Sequence, residues 1–392
     1  MTPPAKGFFP PLLARDRNEP HRTATQLELF FDLVVVIAIA AAAHGLAHEI
    51  SAGHVGLGLL KFFLAFFAIW WPWNLFTWFA SSFDSDDAAY RMNVMVMMVG
   101  VMMVAATIPM IFAGATTPYG FLGYVILRLA SAVLWLRVGD SNPQLKKTAK
   151  RYAFGQIALQ GLWAIGIFVH TPWSVAFISF MAISIFCELL VPWYAEQAAP
   201  TPWHRHHIIE RFGLLNIIVL GEVLLGATRA LEADISAGFN APLYALAGCG
   251  MVLAFAMWWL YFCEADHLES IEIKRSFVWG YGHFVVFASG AAVGAGMELM
   301  VEALVSAGEA HGAAGHHVSV ETAGFAIAIP LALYVLGLWL VRDRYQLRQF
   351  HGSVLLFFAV LIALSGFLPY PPFPAMVLLV MCLVMRLRVQ AN

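Results

Sequence analysis

Charge is what this sequence has least of. Asp, Glu, Lys and Arg make up 12% of its 392 residues while apolar residues make up 61%. Soluble chains usually carry ~25% charged residues. So few charges cannot cover a soluble surface and still hide this much Phe, Leu, Val, Met and Trp, so the solvent for most of the chain is lipid. The 22 basic and 24 acidic residues nearly cancel, which excludes the basic footprint of a nucleic-acid partner. Cysteine is scarce as well. Cys187, Cys249, Cys263 and Cys382 fall in or at the ends of apolar stretches, at neither metal nor disulfide spacing, and are expected as free thiols. There is no P-loop, glycine fingerprint after a strand, nucleophile elbow or haem-attachment motif. Enzyme chemistry is therefore poorly supported, and no cofactor or metal is implied. The first 25 residues lack the short apolar core and cleavage site of a secretory signal. With Pro3, Pro4, Lys6, Pro10, Pro11, Arg15, Arg17 and Arg22, they read as a retained, solvated cytosolic tail.

What the chain does have is long apolar runs. A bilayer core needs about 20 apolar residues in helix, and twelve candidates lie near 27–49, 57–80, 92–114, 119–138, 152–170, 173–194, 208–230, 241–263, 277–301, 322–341, 351–369 and 374–389. The longest loop expected, 302–321, is rich in Gly, Ala and His. Lys and Arg favour cytoplasmic loops. With twelve spans and the N-terminus inside, every basic residue except Lys61, Arg128 and Arg229 collects on the inner side. The expected fold is thus an all-α polytopic membrane protein of about twelve transmembrane helices with both termini cytoplasmic.

The two halves echo one another. Glu28-Leu29-Phe30 at the first span matches Glu210-Arg211-Phe212 at the seventh, Trp70-Trp71 matches Trp258-Trp259, and Arg91 matches Arg275, all in the same order. These anchors suggest two parallel six-helix repeats, so the expected organisation is a tail over 1–25, a first repeat over 26–200 and a second over 201–392.

The run Leu27-Glu-Leu-Phe-Phe-Asp-Leu-Val-Val-Val-Ile-Ala-Ile39 resembles the signature of the bacterial low temperature requirement A family. Glu210-Arg-Phe-Gly-Leu-Leu-Asn-Ile-Ile-Val-Leu-Gly-Glu222 is similar to that family's second signature, and Tyr281-Gly-His283 to a third. The resemblance covers about 30–290. It implies a polytopic bacterial membrane protein, placed in the inner membrane and linked by name to growth in the cold, and it carries no molecular activity. Phe30-Phe31-Asp32 is also similar in position to the Phe-Ser-Asp that opens each repeat of two-repeat, six-helix potassium channels. Phe31 replaces the Ser, and Leu214 or Leu215 stands where the second Asp belongs.

Charge at membrane depth costs at least ~2.5–3.5 kcal/mol per residue, so each such residue needs a reason. Glu28 and Asp32 are an i,i+4 pair, with Asp32 ~6 Å deeper. They could hold a cation or relay protons. Alternatively, Thr25-x-x-Glu28 is a capping box and Asp32 pairs with a basic residue such as Arg211. The seventh span brings Glu210, Asn216 and Glu222, the last ~18 Å beyond Glu210 and beside Gly221, which would let another backbone approach. Arg128 cannot shed its charge and calls for Glu222, Glu188 or Asp32 as partner, or else anchors a substrate. His283 could shuttle protons or simply hydrogen-bond a neighbour. Gly290 and Gly294 read as a close-packing face. Trp70, Trp71, Trp258 and Trp259, the first pair next to Pro72, could line a pocket or fill the core. His44 and His48 could share a metal, but no carboxylate or cysteine falls at an established metal spacing; His54, His311, His316 and His317 also gather outside.

These residues point first to transport or conduction of a small ion or solute, a cation or proton, between the two repeats. Asp32 and Glu222 would be the sites, with Arg128 as counter-charge. The alternatives are a membrane enzyme or lipid-binding protein that grips a head group, and a stress-response component that does not transport. The partners are the bilayer and a small ion, with room for a homodimer.

Overall fold

In a computed structural model the described residues are 10–20, 22–115, 118–236, 238, 240–264, 268–270, 272–308, 318–347 and 352–391. Among them there are twelve helices and no strand. In chain order they are α1 (Gln26–Ser51), α2 (Val55–Phe83), α3 (Ala88–Phe112), α4 (Pro118–Ser141), α5 (Lys146–Val169), α6 (Val175–Glu196), α7 (Arg205–Ser236), α8 (Ala241–Phe262), α9 (Ile273–Gly308), α10 (Val320–Leu338), α11 (Val354–Leu364) and α12 (Pro372–Ala391). Each of the twelve expected spans falls on one of them. Among the described residues ten are long and apolar enough to cross a membrane, namely α1–α6, α8–α10 and α12, while α11 is a shorter apolar helix. The chain is a multi-pass helical membrane protein.

The outer faces agree with a lipid solvent. Ile37, Met102, Phe186, Phe255 and Phe357 all project outward, where a soluble helix would carry charge. Helix ends follow polar signals. Asp87, Ser174, Asn240 and Ser319 accept from backbone N–H groups in the first turns of α3, α6, α8 and α10, satisfying donors that a helix start leaves open.

Two boundaries differ from the sequence expectation. α9 runs on to Gly308, because Ala303, Leu304, Val305 and Ala307 continue a helix-forming stretch past the expected end at 301. The long loop is shorter as a result, and His311, His316 and His317 lie outside the described residues. α10 does not stop at Leu338. It widens into a π turn over Trp339–Asp343 and closes with Arg344–Gln346, so that Val341, Arg342 and Asp343 are all buried in succession. The tail is also more than a solvated strand of prolines. Leu12 is fully buried, its N–H donates to Ser141 Oγ at 2.9 Å and its carbonyl accepts from Asn142 Nδ2 at 2.8 Å.

By contacts the chain forms two compact units, Met1–Ala38 with Ala68–Glu210, and Ile39–Phe67 with Arg211–Asn392. In the first, α3 packs on α4, α4 on α5 and α5 on α6. The α3–α4 contact is backbone to backbone: a Cβ on Gly123 would meet Met103 Cβ at 2.6 Å and Gly100 O at 2.8 Å. Trp135 of α4 stacks on Tyr152 of α5 with centroids 4.0 Å apart. In the second unit, α9 packs on α10 and α8, α10 on α11, and α12 on both α8 and α11.

Candidate functional site: buried acid clusters

The opening turn of α1 builds the first cluster, within the first unit. Glu28 closes the expected capping box: Thr25 N–H donates to Glu28 Oε2 at 2.7 Å, and Glu28 N–H donates back to Thr25 Oγ1 at 3.4 Å. Capping does not exhaust the carboxylate. His207 Nε2 of α7 lies 3.2 Å from Glu28 Oε2, and Arg22 Nη2 is 3.7 Å from Oε1 and 3.5 Å from Asp84 Oδ2. Glu28, His207 and Asp32 are all fully buried. One turn deeper, Asp32 Oδ1 accepts from the indole of Trp73 at 2.7 Å. Glu210 sits at the rim, where Ala24 N–H reaches its Oε2 at 3.3 Å.

Asp84 follows α2 and is held among these charges. Burial, reinforced by the negative Glu28 nearby and opposed by Arg22, raises its carboxyl to about 6. His204 precedes α7. Its Nδ1 accepts from His207 N–H at 3.2 Å and its Nε2–H donates to the Glu19 carbonyl at 3.0 Å. Burial keeps this ring below its ordinary pKa, which fits a neutral helix cap. Sequence reasoning missed Arg22, Asp84, His204 and His207. A signal was available in His204 and His207 at i,i+3 ahead of the Glu210 signature.

A second cluster of the same unit lies in its core. Arg128 of α4 ion-pairs with Glu188 of α6, one of its three expected partners. Glu188 also accepts from Trp71 Nε1 of α2 at 2.9 Å and from Trp163 Nε1 of α5 at 3.2 Å. Tyr124 lies edge-on to Trp163 and under the Arg128 guanidinium. Four helices thus meet on one carboxylate. Arg128 is thus buried and paired within the protein through its Nη2.

The second unit holds the remaining expected residues. Asn216 accepts from Tyr334 Oη at 3.0 Å. His283 sits in a box of Phe212, Tyr261, Trp279 and Phe287. Its Nδ1–H donates to the Trp279 carbonyl at 2.7 Å and its Nε2 accepts from Tyr261 Oη at 3.1 Å, so both nitrogens are engaged. Glu222 is half-buried, within electrostatic reach of Arg229 and Glu298. Glu298 in turn pairs with Arg229 at 2.6 Å and with His44 Nδ1 at 2.7 Å. The glycine that lets a backbone close on Glu222 is not Gly221, beside which nothing lies within 4 Å, but Gly294, where a Cβ would meet Glu222 Cβ at 2.6 Å. His44 Nδ1 is tied to Glu298.

The tryptophan quartet splits. Trp70 and Trp71 are buried, whereas Trp258 and Trp259 are 47% and 52% exposed. The second pair therefore faces outward and lines no interior pocket, because the α8 residues turned inward are Leu253, Ala254, Met257 and Leu260. All four cysteines are free thiols.

No solved structure matches this chain. An uncharacterized protein of Rhizobium meliloti (strain 1021) is 23% identical over 293 residues, spanning 69% of this chain and 68% of that protein. The family description for bacterial low temperature requirement A protein matches residues 23–389, which takes in both acid clusters of the first unit and nearly every residue discussed above. The chain belongs to the bacterial low temperature requirement A family of membrane proteins.

Proposed function

We propose that this protein moves a proton or small cation across the bacterial inner membrane, and that the buried acids at the start of α1 handle it. One observation carries the reading. Glu28 and Asp32 are two fully buried carboxylates one helical turn apart; Glu28 contacts His207 and, through Arg22, is linked to Asp84, whose carboxyl is raised to about 6. A purely structural cluster would more economically pair each acid with one fixed cation. Here Arg22 is shared between two acids, and Glu28 leans on the buried imidazole of His207 as well as on its own capping contacts. Buried ionisable groups in membrane helices mark ion or proton paths more often than packing. Glu222, with Arg229, Glu298 and His44, is the corresponding titratable group on the second unit. In this reading Arg128 stands outside the path, since it is paired with Glu188, which two indoles also engage.

In this reading α1–α6 and α7–α12 are parallel repeats with both termini in the cytoplasm. The twelve helices, the in-order matches between halves and the inward bias of Lys and Arg support it. The test is flux into liposomes holding purified protein, under potassium, sodium and proton gradients, alongside Glu28→Gln, Asp32→Asn and Glu222→Gln. Flux abolished by Asp32→Asn in folded protein is expected. Equal flux in wild type and Asp32→Asn, or none in either across all gradients, would remove the assignment.

A further inference from the structure

Away from these acids, unsatisfied polar groups gather at one place in the second unit. Arg342 of the π turn and Arg386 of α12 are both fully buried. A single carboxylate serves the two: Arg342 Nε donates to Asp343 Oδ1 at 2.5 Å, and Arg386 Nε donates to Asp343 Oδ2 at 2.9 Å. Arg342 Nη1 is taken by the carbonyls of Leu260 and Tyr261 at 2.8 and 3.2 Å, at the end of α8. What remains is Arg342 Nη2 with Arg386 Nη1 and Nη2, all buried and without a hydrogen-bond acceptor. The next acid, Glu264, is 3.8 Å from Arg386 Nη2, close enough to attract and too far to accept. Arg275 brings a third guanidinium to the same stretch, donating to the Val341 carbonyl at 2.7 Å and to Glu269.

Buried donors almost always find an acceptor, and guanidiniums inside a protein are the least able to do without one, since they keep their charge. Water could take the hydrogen bonds, but only singly and without charge, while Asp343 and the more distant Glu264 leave three nitrogens unserved. A tetrahedral oxyanion serves them together: its several oxygens match the fork of N–H groups, and charge-assisted bonds of this kind are the strong ones. The interrupted helix adds to the argument, because π turns inside α-helices recur at functional sites.

We propose that Arg342 and Arg386 form a binding site for a phosphate-type oxyanion, supplied as inorganic phosphate or as the phosphate of an anionic lipid head group. The experiment uses the full-length protein in nanodiscs and follows its melting temperature. In phosphatidylcholine discs, inorganic phosphate at fixed ionic strength is compared with chloride. In a second arm, discs containing phosphatidylglycerol replace phosphate, and native mass spectrometry counts retained lipid. A saturable rise with phosphate identifies the free anion as the source. A rise only in phosphatidylglycerol discs, with one lipid retained, identifies the head group. Arg386→Lys keeps the charge but loses the fork and should weaken either response by tenfold or more, while Arg388→Gln on the exposed face of α12 should not. If Arg386→Lys fails to fold, the wild-type arms still decide. No response to either anion, or an Arg386→Lys protein that responds like wild type, overturns the site.

Discussion

The Arg128–Glu188 pair allows a quantitative test because its two members differ in how they can escape from isolation. Glu188 is fully buried and accepts from one guanidinium and two indoles. Breaking a buried pair by removing one partner costs about 3–5 kcal/mol. Arg128→Met leaves a carboxylate that still has two indole donors and can take up a proton, so its cost should fall at the low end, about 3 kcal/mol. Glu188→Gln leaves a guanidinium that cannot lose its charge, and a carboxamide oxygen accepts more weakly than a carboxylate at Trp71 and Trp163. Hydrogen bonds to charged groups contribute about 1.5–3 kcal/mol against roughly 1 for neutral ones, so this variant should reach about 5 kcal/mol. The double variant carries no charge into the interior and should recover most of the loss, with a coupling of at least about 2 kcal/mol. Reversible denaturation in detergent micelles measures all four corners. Equal costs for the two single variants, or additive losses in the double, would refute the reasoning that this is a charge-balanced, buried pair.

Asp84 gives a pH prediction of known sign. Its folded carboxyl at about 6 stands above the ordinary 3.8, so the folded state binds the proton more tightly than the unfolded one. Its contribution is fully present below pH 3.8 and is lost as pH rises through about 6, an effect of up to about 3 kcal/mol at neutrality. Melting scans from pH 4 to 7 should show that slope in wild type and a flatter one in Asp84→Asn. Gly294→Ala should destabilise by about 1–3 kcal/mol, since its Cβ would meet the backbone carbon of Glu222 at 2.8 Å, while Gly221→Ala should be silent, with nothing within 4 Å. Trp73→Phe removes the 2.7 Å donor to Asp32 and should cost about 1.5–3 kcal/mol by melting. Its flux should fall with it if Asp32 is the site.

The fold was legible because lipid enforces a coarse code. Each span needs about 20 apolar residues, and all twelve helices, ten of them long and apolar enough to cross a membrane, could be read without knowing a contact. Individual charges were legible where a local rule governs them, as in the Thr25–Glu28 box. They were not where the partner is distant in sequence. Nothing near Arg128 marks Glu188 over Glu222 or Asp32, because the choice depends on how α4 and α6 meet. Trp258 and Trp259 misled for a related reason: indoles suit both a core and a membrane interface, and sequence does not say which side of α8 faces in. Gly221 drew attention by adjacency, although in a helix the residue that touches a neighbour lies three or four positions away, not one.

The interleaving of the two units has a consequence for how the protein is made. Residues 39–67 emerge early, yet their contacts belong to the second unit: Phe66 meets Phe284, His44 meets Glu298 and Ser51 meets Glu302. At ~5–20 residues per second of synthesis, the late partners follow by about 10–50 s. Through that interval the second half of α1 and the first half of α2 sit in the bilayer with their intended neighbours not yet translated. A gene divided at residue 200 would therefore yield two fragments, neither holding a whole unit. Activity regained on co-expressing them would mean that the early hairpin can wait, inserted and unpartnered, for a second polypeptide to arrive.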